Sequence, residues 1–223
     1  MSQSSSDLRV RRTQKLIRDA LIALIEERSF DAITVGDITS RAMVSRTAFY
    51  RYYRDKFDLV EKLYEEIMNT VIGELDLVRQ GALDHFDRQP QLESWSRFFE
   101  QAERVLPVPE PIVKYFDHVL EYESLYHALL GGKGSSWFVM KMRAQLTHIA
   151  SKDLQELATD LGQKSLTTCP AYADGLVPAL IAAQVIDSTT WWLEHGRPYS
   201  PRQMATFCYR VMCSILKDVP KWE

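Results

Sequence analysis

The chain has 223 residues, of which 46% are hydrophobic and 26% are charged, and these values are ordinary for a globular protein. The net charge of −3 is unevenly divided, because residues 1–60 carry 11 basic and 8 acidic residues whereas residues 61–223 carry 16 and 22. No apolar run approaches the roughly 20 residues of a membrane-spanning helix, and the polar first six residues lack the apolar region of a secretory signal. We therefore expect a cytoplasmic protein with no membrane partner.

Apolar residues recur at helical spacing along the whole chain, and no strand–turn–strand pattern is present. The first stripe lies within residues 16–25, and a second predicts a long helix over about residues 56–79. Five further helices are predicted between proline- and glycine-rich breaks, over about residues 91–105, 112–130, 136–161, 173–195 and 201–219. Ser200 is the expected N-cap of the last of these, with Pro201 at its first position. The predicted fold class is all-α.

Residues 34–53 predict two short helices joined by a tight turn. Thr34 with Asp37 three positions later resembles a capping box, and Ser45 is a second N-cap. Two such helices held against a longer preceding helix have the geometry of a helix-turn-helix. The same spacing also fits an ordinary corner between two helices with a solvated basic face.

The chemistry of the second short helix suits the recognition of DNA. Its first turn carries side chains that can contact base edges in the major groove: Arg46, Thr47 and Ala48. Further along, side chains that can donate to phosphate oxygens follow: Tyr50, Arg51, Tyr52 and Lys56. Phe49 and Tyr53 are better explained as core contacts. A basic arm, Arg9 to Lys15, adds positive charge to the same region.

The run VSRTAFYRYYRDKFDL resembles the recognition-helix signature of the TetR family of regulators, and the preceding FDAITVGDITSRAMVS resembles the junctions of that family's first helices. The likeness covers about residues 12–60. It implies an N-terminal three-helix helix-turn-helix domain over residues 10–60, with its motif at about 34–53, and a C-terminal helical regulatory and dimerisation domain over residues 61–223. It also implies phosphate contacts from Thr34, Tyr50, Tyr52 and Lys56.

Two residues depart from the family pattern. Met43 stands where glycine is usual in the turn, and a non-glycine residue in the left-handed region costs on the order of 1 kcal/mol. Tyr52 stands where histidine is common, which still permits a phosphate contact.

The family resemblance also extends to the tail, GLVPALIAAQVIDSTTWWLEHGRPYSPRQMATFCYRVM, which is similar to the last two helices of many members. It implies that these helices, within about residues 174–216, form a four-helix bundle with a second copy of the chain. Such helices are apolar over more than one stripe, an expectation met by Val177, Leu180, Ile181, Val185, Ile186, Trp191 and Trp192. The candidate dimerisation residues are Val177, Ile181, Val185 and Trp192. A two-fold homodimer places two recognition helices on a palindromic operator of double-stranded DNA. The alternative is a fully buried helix in a monomer.

The middle of the chain is rich in aromatic residues, and ligand pockets are mostly apolar with a few polar groups. The candidate ligand-binding residues are Trp95, Phe99, Tyr115, His118, Tyr122 and Tyr126. The expected ligand is a small apolar or aromatic molecule, although aromatic stripes at helical spacing are also ordinary core.

No local signature supports catalysis by the three cysteines, Cys169, Cys208 and Cys213, and neither their spacing nor that of the histidines is typical of a metal site. We expect no catalytic residues, no metal and no cofactor. The predicted function is a DNA-binding transcriptional regulator, a repressor that a small-molecule ligand releases from its operator. The alternative is a TetR-like DNA-binding or co-regulator protein with no small-molecule inducer.

Overall fold

The computed structural model of the chain describes residues 3–86, 95–105, 107–131, 135–162 and 169–222, and these contain helices and no strand. The predicted all-α class is confirmed. The helices are α1 (Gln3–Glu27), α2 (Val35–Arg41), α3 (Arg46–Tyr50), α4 (Lys56–Phe86), α5 (Trp95–Val105), α6 (Glu110–Glu121), α7 (Glu123–Leu130), α8 (Ser136–Asp160), α9 (Pro170–Ala173), α10 (Leu176–Glu194) and α11 (Pro201–Asp218). Among the described residues, 3₁₀ turns lie at Phe30–Ala32 and Val219–Lys221.

The chain divides into two compact units. The head unit comprises residues 1–67 and 122–134, and the body unit comprises residues 68–121 and 135–223. This division by packing falls within α4, seven residues beyond the boundary expected from the sequence, and it assigns α7 to the head unit.

The head unit is built around the apolar side of α1, which packs against α2 and α7. Its most deeply buried side chains are Ile17, Leu21, Ile33, Ile38, Phe49 and Leu59. Two ion pairs join α2 to the end of α1: Arg41 with Glu27 at 2.7 Å, and Arg28 with Asp37 at 3.0 Å. The two short helices are therefore held by an apolar core beneath them and by polar contacts at the edge.

The helix caps expected from the sequence are confirmed. The Thr34 hydroxyl accepts from the Asp37 backbone N–H at 3.2 Å, and the Asp37 carboxylate accepts from the Thr34 N–H at 2.8 Å, which completes a capping box. Ser45 accepts from the Ala48 N–H at 3.1 Å. Ser200 caps α11 in the same way, with Pro201 as the first helical residue. These side chains satisfy N–H groups that have no partner within the helix.

In the body unit, α10 packs against α8, while α11 packs against α5 and α6. A buried cluster joins these helices and includes Trp95, Phe98, Phe99, Leu154, Leu157, Val177, Cys213 and Leu216. The Trp95 indole N–H donates to the Leu216 carbonyl at 2.6 Å. Because an indole N–H buried without an acceptor is costly, this bond fixes the register of α5 against α11.

The helix predicted over residues 112–130 is two helices. Tyr122 leaves the helical conformation at φ −111° and ψ 35°, and α7 begins after it. The break lets α7 bury Leu125 and Leu129 in the head unit, where the Ser124 hydroxyl donates to Glu26 at 2.8 Å. No glycine or proline marks the break, so local sequence gives no signal for it.

Other predicted boundaries shift by a few residues. The long helix α4 continues to Phe86 in place of residue 79. The helix predicted from residue 173 begins at Leu176, because Gly175 at φ +79° separates it from the short α9. The predicted start of α5 at residue 91 lies outside the described residues.

By length and composition, the helix Leu176–Glu194 is apolar enough to cross a membrane, with a mean hydropathy of 1.2, and 44% of its apolar window is buried inside the structure. No such run was expected from the sequence, because Pro178 and Gln184 interrupt the apolar residues between Leu176 and Ile186. A core helix of a globular protein satisfies the same criteria, and α10 packs on α8 and α11.

Candidate nucleic-acid interface and apolar cavity

The turn between α2 and α3 has the conformation that the sequence predicted. Met43 lies in the left-handed region at φ +53°, and its side chain is 91% exposed. The Val44 N–H donates to the Thr39 carbonyl at 3.0 Å, which closes the turn at the end of α2. The cost of a non-glycine residue here is about 1 kcal/mol, and the packed helices on either side maintain the conformation.

The short helix α3 is anchored on one side and exposed on the other. Phe49 and Tyr53 are buried, as expected for core contacts, with ring centroids 5.5 Å apart. The residues predicted to contact DNA lie away from this core: Arg46, Thr47, Tyr50 and Arg51 are exposed, while Ala48 and Tyr52 are partly exposed. The structure thus brings these six side chains together on one short segment, and their contacts with DNA stay predictions.

The basic side chains of the head unit fall into two groups. Several are paired with carboxylates: Lys15 with Asp19, Arg18 with Glu66, Arg28 with Asp37, Arg41 with Glu27, and Arg54 and Lys62 with Asp58. Within the described part of the chain, others have no ion pair or hydrogen bond from the side chain: Arg9, Arg11, Arg12, Arg46 and Arg51. Among the side chains that the structure describes, basic groups without a carboxylate partner are therefore concentrated at residues 46–51 and 9–12.

Lys56, predicted to contact a phosphate, bonds to the protein backbone in the structure. Its ammonium group donates to three backbone carbonyls, those of Phe30 at 2.8 Å, Asp31 at 2.9 Å and Ile33 at 2.8 Å. An ammonium group has three donors, and all are used here to hold the turn that precedes α2. Partial burial lowers the pKa of Lys56, and nearby Asp31 opposes the shift. The geometry supports a structural role for Lys56 in place of a phosphate contact.

Thr34 is exposed, but its hydroxyl proton is already used. The hydroxyl donates to the Asp37 carboxylate at 2.7 Å. This bond, the bond from the Thr34 backbone N–H and the neighbouring Arg28 lower the pKa of Asp37 to about 2. To donate to a phosphate, the Thr34 hydroxyl would have to break its hydrogen bond with the Asp37 carboxylate.

The body unit contains a cavity of about 520 Å³. Its lining comes from α4, α5, α6, α8, α10 and α11 and is mainly apolar, including Met68, Val71, Phe98, Phe99, Ala102, Ile112, Tyr115, Leu146, Ile149, Leu154, Ile181, Val185 and Met212. A volume in this range and an apolar lining are typical of small-molecule sites.

Few polar groups reach the cavity. Glu110 and Arg202, which form a half-exposed ion pair at 2.8 Å, lie at its edge together with Asp153 and Gln184. Within the lining, the Tyr115 hydroxyl is 3.1 Å from the Thr189 hydroxyl oxygen, and burial raises the pKa of Tyr115. Burial also raises the pKa of the Cys208 thiol, which lines the cavity. These groups favour neutral, largely apolar contents.

Only two of the six candidate ligand-binding residues, Phe99 and Tyr115, are among the residues that line this cavity. Trp95 is buried in the body core and bonded to the Leu216 carbonyl. His118 is half-buried outside the lining, and Tyr122 and Tyr126 belong to the head unit. Aromatic richness therefore did not distinguish residues that line the cavity from residues of the packed core, and ligand binding stays a prediction.

Most lining residues were missed because they are aliphatic. On α8 they recur at helical spacing, from Leu146 through Ile149 to Leu154 and Leu157. This stripe is visible in the sequence, but it signals only a buried face. Whether the space beside that face is filled depends on five other helices.

The four predicted dimerisation residues face the body unit itself. Val177, Ile181 and Trp192 are buried within one chain, and Val185 lines the cavity together with Ile181. The side chains that α10 and α11 leave uncovered are different ones, each 38–51% exposed: Leu176, Leu180, Trp191, Phe207 and Val211. We call this set the α10–α11 face. The sequence indicated that α10 is apolar on more than one side. The four residues predicted for the dimer interface lie on the side that packs within the chain.

Part of the head unit is similar to a family of bacterial regulators. Residues 17–63 match the family model described as "Bacterial regulatory proteins, tetR family". The chain is 39% identical over 51 residues to "Uncharacterized HTH-type transcriptional regulator YxbF" of Bacillus subtilis (strain 168), a match that covers 23% of this chain and 13% of that protein. It is 32% identical over 69 residues to "HTH-type transcriptional regulator AcrR" of Shigella flexneri, covering 31% of this chain and 32% of that protein.

A third relative is similar over a longer segment and also in structure. "HTH-type dhaKLM operon transcriptional activator DhaS" of Lactococcus lactis subsp. lactis (strain IL1403) is 24% identical over 115 residues, covering 51% of this chain and 58% of that protein. The solved structure of DhaS superposes with a TM-score of 0.52 at 15% identity, over 92% of this chain and 96% of that chain. At this identity the structural likeness shows a shared fold. In sequence, the matches span 13–58% of the length of these three relatives.

Proposed function

We propose that this chain, whose residues 17–63 match the tetR family model, is a transcriptional regulator of that family. In this proposal it is a cytoplasmic, dimeric repressor that binds a palindromic operator and is released by a small apolar ligand. The observation that carries the proposal is the exposed α3, whose Arg46 and Arg51 have no partner among the described residues. The proposal assigns no catalytic role to the chain.

DNA binding is supported by the distribution of charge in the head unit. Neighbouring carboxylates neutralise Arg18, Arg28 and Arg41. In contrast, the arginines at residues 46–51 and 9–12 have no carboxylate partner among the described side chains. Arginine can form two parallel hydrogen bonds with guanine in the major groove or with phosphate oxygens. We assign base contacts to Arg46 and Thr47, and phosphate contacts to Tyr50, Arg51 and Tyr52.

The dimer is proposed to form through the α10–α11 face. Five large apolar side chains exposed on two adjacent helices are costly in water and favour a partner. A second copy supplies the same surface, which two-fold symmetry makes self-complementary. The resulting four-helix arrangement would present two α3 helices to the two halves of a palindromic operator.

Control by a ligand is supported by the cavity in the body unit. Met68 and Val71 of α4 line it, and α4 begins at Lys56, immediately after the recognition segment. A ligand that displaces these side chains would shift a helix continuous with the head unit. A coupling of about 1–3 kcal/mol between ligand and DNA is enough for control, and DNA must weaken ligand binding by the same factor.

Activation of transcription is a second candidate function, because the relative DhaS is named as an activator and matches this chain over half its length. A repressor and an activator can share the same DNA-binding head. A reporter placed behind the bound sequence separates them, since deletion of this protein raises expression in the first case and lowers it in the second.

The decisive experiment begins with selection of bound sequences from fragmented genomic DNA. The expected result is a palindromic site, bound by the dimer and lost in Arg46→Ala. Apolar compounds are then screened by thermal shift, and each hit is tested for release of the protein from that site. Selection of no sequence would refute the DNA-binding proposal. Hits that raise the melting temperature without changing DNA affinity would refute ligand control and leave a constitutive DNA-binding protein.

A further inference from the structure

The second residue of α2 is a glycine, Gly36, although alanine is the better helix former. A Cβ atom built on Gly36 would lie 2.8 Å from Nη2 of Arg46 and 3.8 Å from its Cζ. Real Cβ atoms do not approach other heavy atoms to 2.8 Å, so the Arg46 guanidinium occupies the space that any side chain at residue 36 would need. The guanidinium of Arg46, the first residue of α3, thus lies against the backbone of α2 at Gly36.

Two features define the state of Arg46 in this position. Its backbone is fixed at the start of α3, where the Ser45 hydroxyl accepts from the Ala48 N–H. Its guanidinium has no ion pair or hydrogen bond with any residue that the structure describes, so its five N–H donors are available. Contact with Gly36 therefore restricts the position of the guanidinium. This contact uses none of the N–H donors that would bond to DNA bases.

We infer that Gly36 is a specificity-determining positioning residue that acts through Arg46. The inference rests on the proposed function of α3 in DNA recognition. A methyl group at residue 36 must push the guanidinium aside, because its carbon would lie only 2.8 Å from Nη2, whereas the Thr34 hydroxyl oxygen at 3.5 Å would be in ordinary contact. The displaced group is the free end of a flexible side chain, so folding is little affected. DNA recognition is affected, because bidentate bonds to a base require a fixed direction of approach.

The test compares Gly36→Ala, Arg46→Ala, the double variant and a matched control. Gly73→Ala is the control, because Gly73 is also within a helix and a Cβ there would meet nothing within 4 Å. Each protein is used as the full chain, its thermal unfolding is measured, and bound sequences are selected from a random library. Both glycine variants should unfold at an unchanged or higher temperature, since alanine favours helix.

The expected effects on DNA differ between the variants. Gly36→Ala should weaken the best site by about fivefold or more, the lower end of what one bidentate pair contributes. Gly36→Ala should also weaken the base preference at the position of each half-site where Arg46→Ala weakens it. Gly73→Ala should leave the selected motif unchanged. In the Arg46→Ala background, Gly36→Ala should change affinity by less than about twofold, because the group it displaces is absent.

Two results would overturn the inference alone. One is an unchanged motif and affinity in Gly36→Ala when Arg46→Ala alters both. The other is an effect of Gly36→Ala that persists undiminished in the Arg46→Ala background, which would place the role of Gly36 in its own backbone. If the wild-type protein selects no sequence, the proposed function fails and the inference fails with it.

Discussion

Ala102→Leu in α5 tests whether the body unit holds open space. Ala102 is 2% exposed and lines the cavity of about 520 Å³. Leucine adds three carbon atoms, and each contributes about 0.8 kcal/mol when it moves from water into apolar space. If the added atoms enter the cavity, the free energy of unfolding should rise by up to about 2 kcal/mol. For a chain of this length, that corresponds to an increase in melting temperature of roughly 4–8 °C.

The matched control is Ala158→Leu in α8. Ala158 is also buried in the body unit, within the cluster around Trp95 and Phe98, but it does not line the cavity. The same three carbon atoms must there be forced into filled space, which costs typically about 1–3 kcal/mol. The same substitution should thus raise the free energy of unfolding at Ala102 and lower it at Ala158. Urea unfolding of the two variants measures both changes.

A second measurement links this result to function. Ala102→Leu should keep its affinity for DNA, because α3 and its surroundings are unchanged, but it should lose the response to any ligand found with the wild type. If both alanine variants are destabilised by similar amounts, the body unit has no open cavity at Ala102. The same result would remove the support for ligand control.

Three further predictions address the interface, the turn before α2 and the capping box. Phe207→Glu, on the α10–α11 face, should give folded monomers with weak DNA affinity in sedimentation experiments, and a wild-type monomer at micromolar concentration would contradict the proposed dimer. Lys56→Met should lower the free energy of unfolding by about 1–3 kcal/mol, because the backbone carbonyls before α2 lose their donor. If the slope of log K for DNA binding against log salt instead becomes shallower by about 0.9 in this variant, Lys56 contacts a phosphate. Because the pKa of Asp37 falls from 3.8 to about 2 on folding, the stability that its carboxylate contributes should be complete above about pH 4 and lost as the pH falls towards 2. Asp37→Asn should lack this part of the pH dependence, and equal acid unfolding of both proteins would show that the carboxylate does not contribute.

Local features of the sequence determined α2, α3 and the residues that cap them. Thr34 and Ser45 cap α2 and α3 as predicted, because a cap depends on residues within three positions of each other. Met43 occupies the left-handed turn that the resemblance to the TetR family implied. The exposed side of α3 also followed from the sequence, since Phe49 and Tyr53 mark the buried side of so short a helix.

Contacts between distant segments decided the rest. Helical periodicity shows which residues share a face, but not whether that face meets the chain's own core, a cavity or a partner. For this reason Ile181 was expected at the dimer interface and lies beside the cavity, while Leu180, its neighbour in sequence, is exposed. Lys56 was expected on DNA, but the tertiary structure brings three carbonyls from 23 to 26 residues away to its ammonium group. The cavity is a volume that six helices leave unfilled, and no single stretch of sequence encodes a volume.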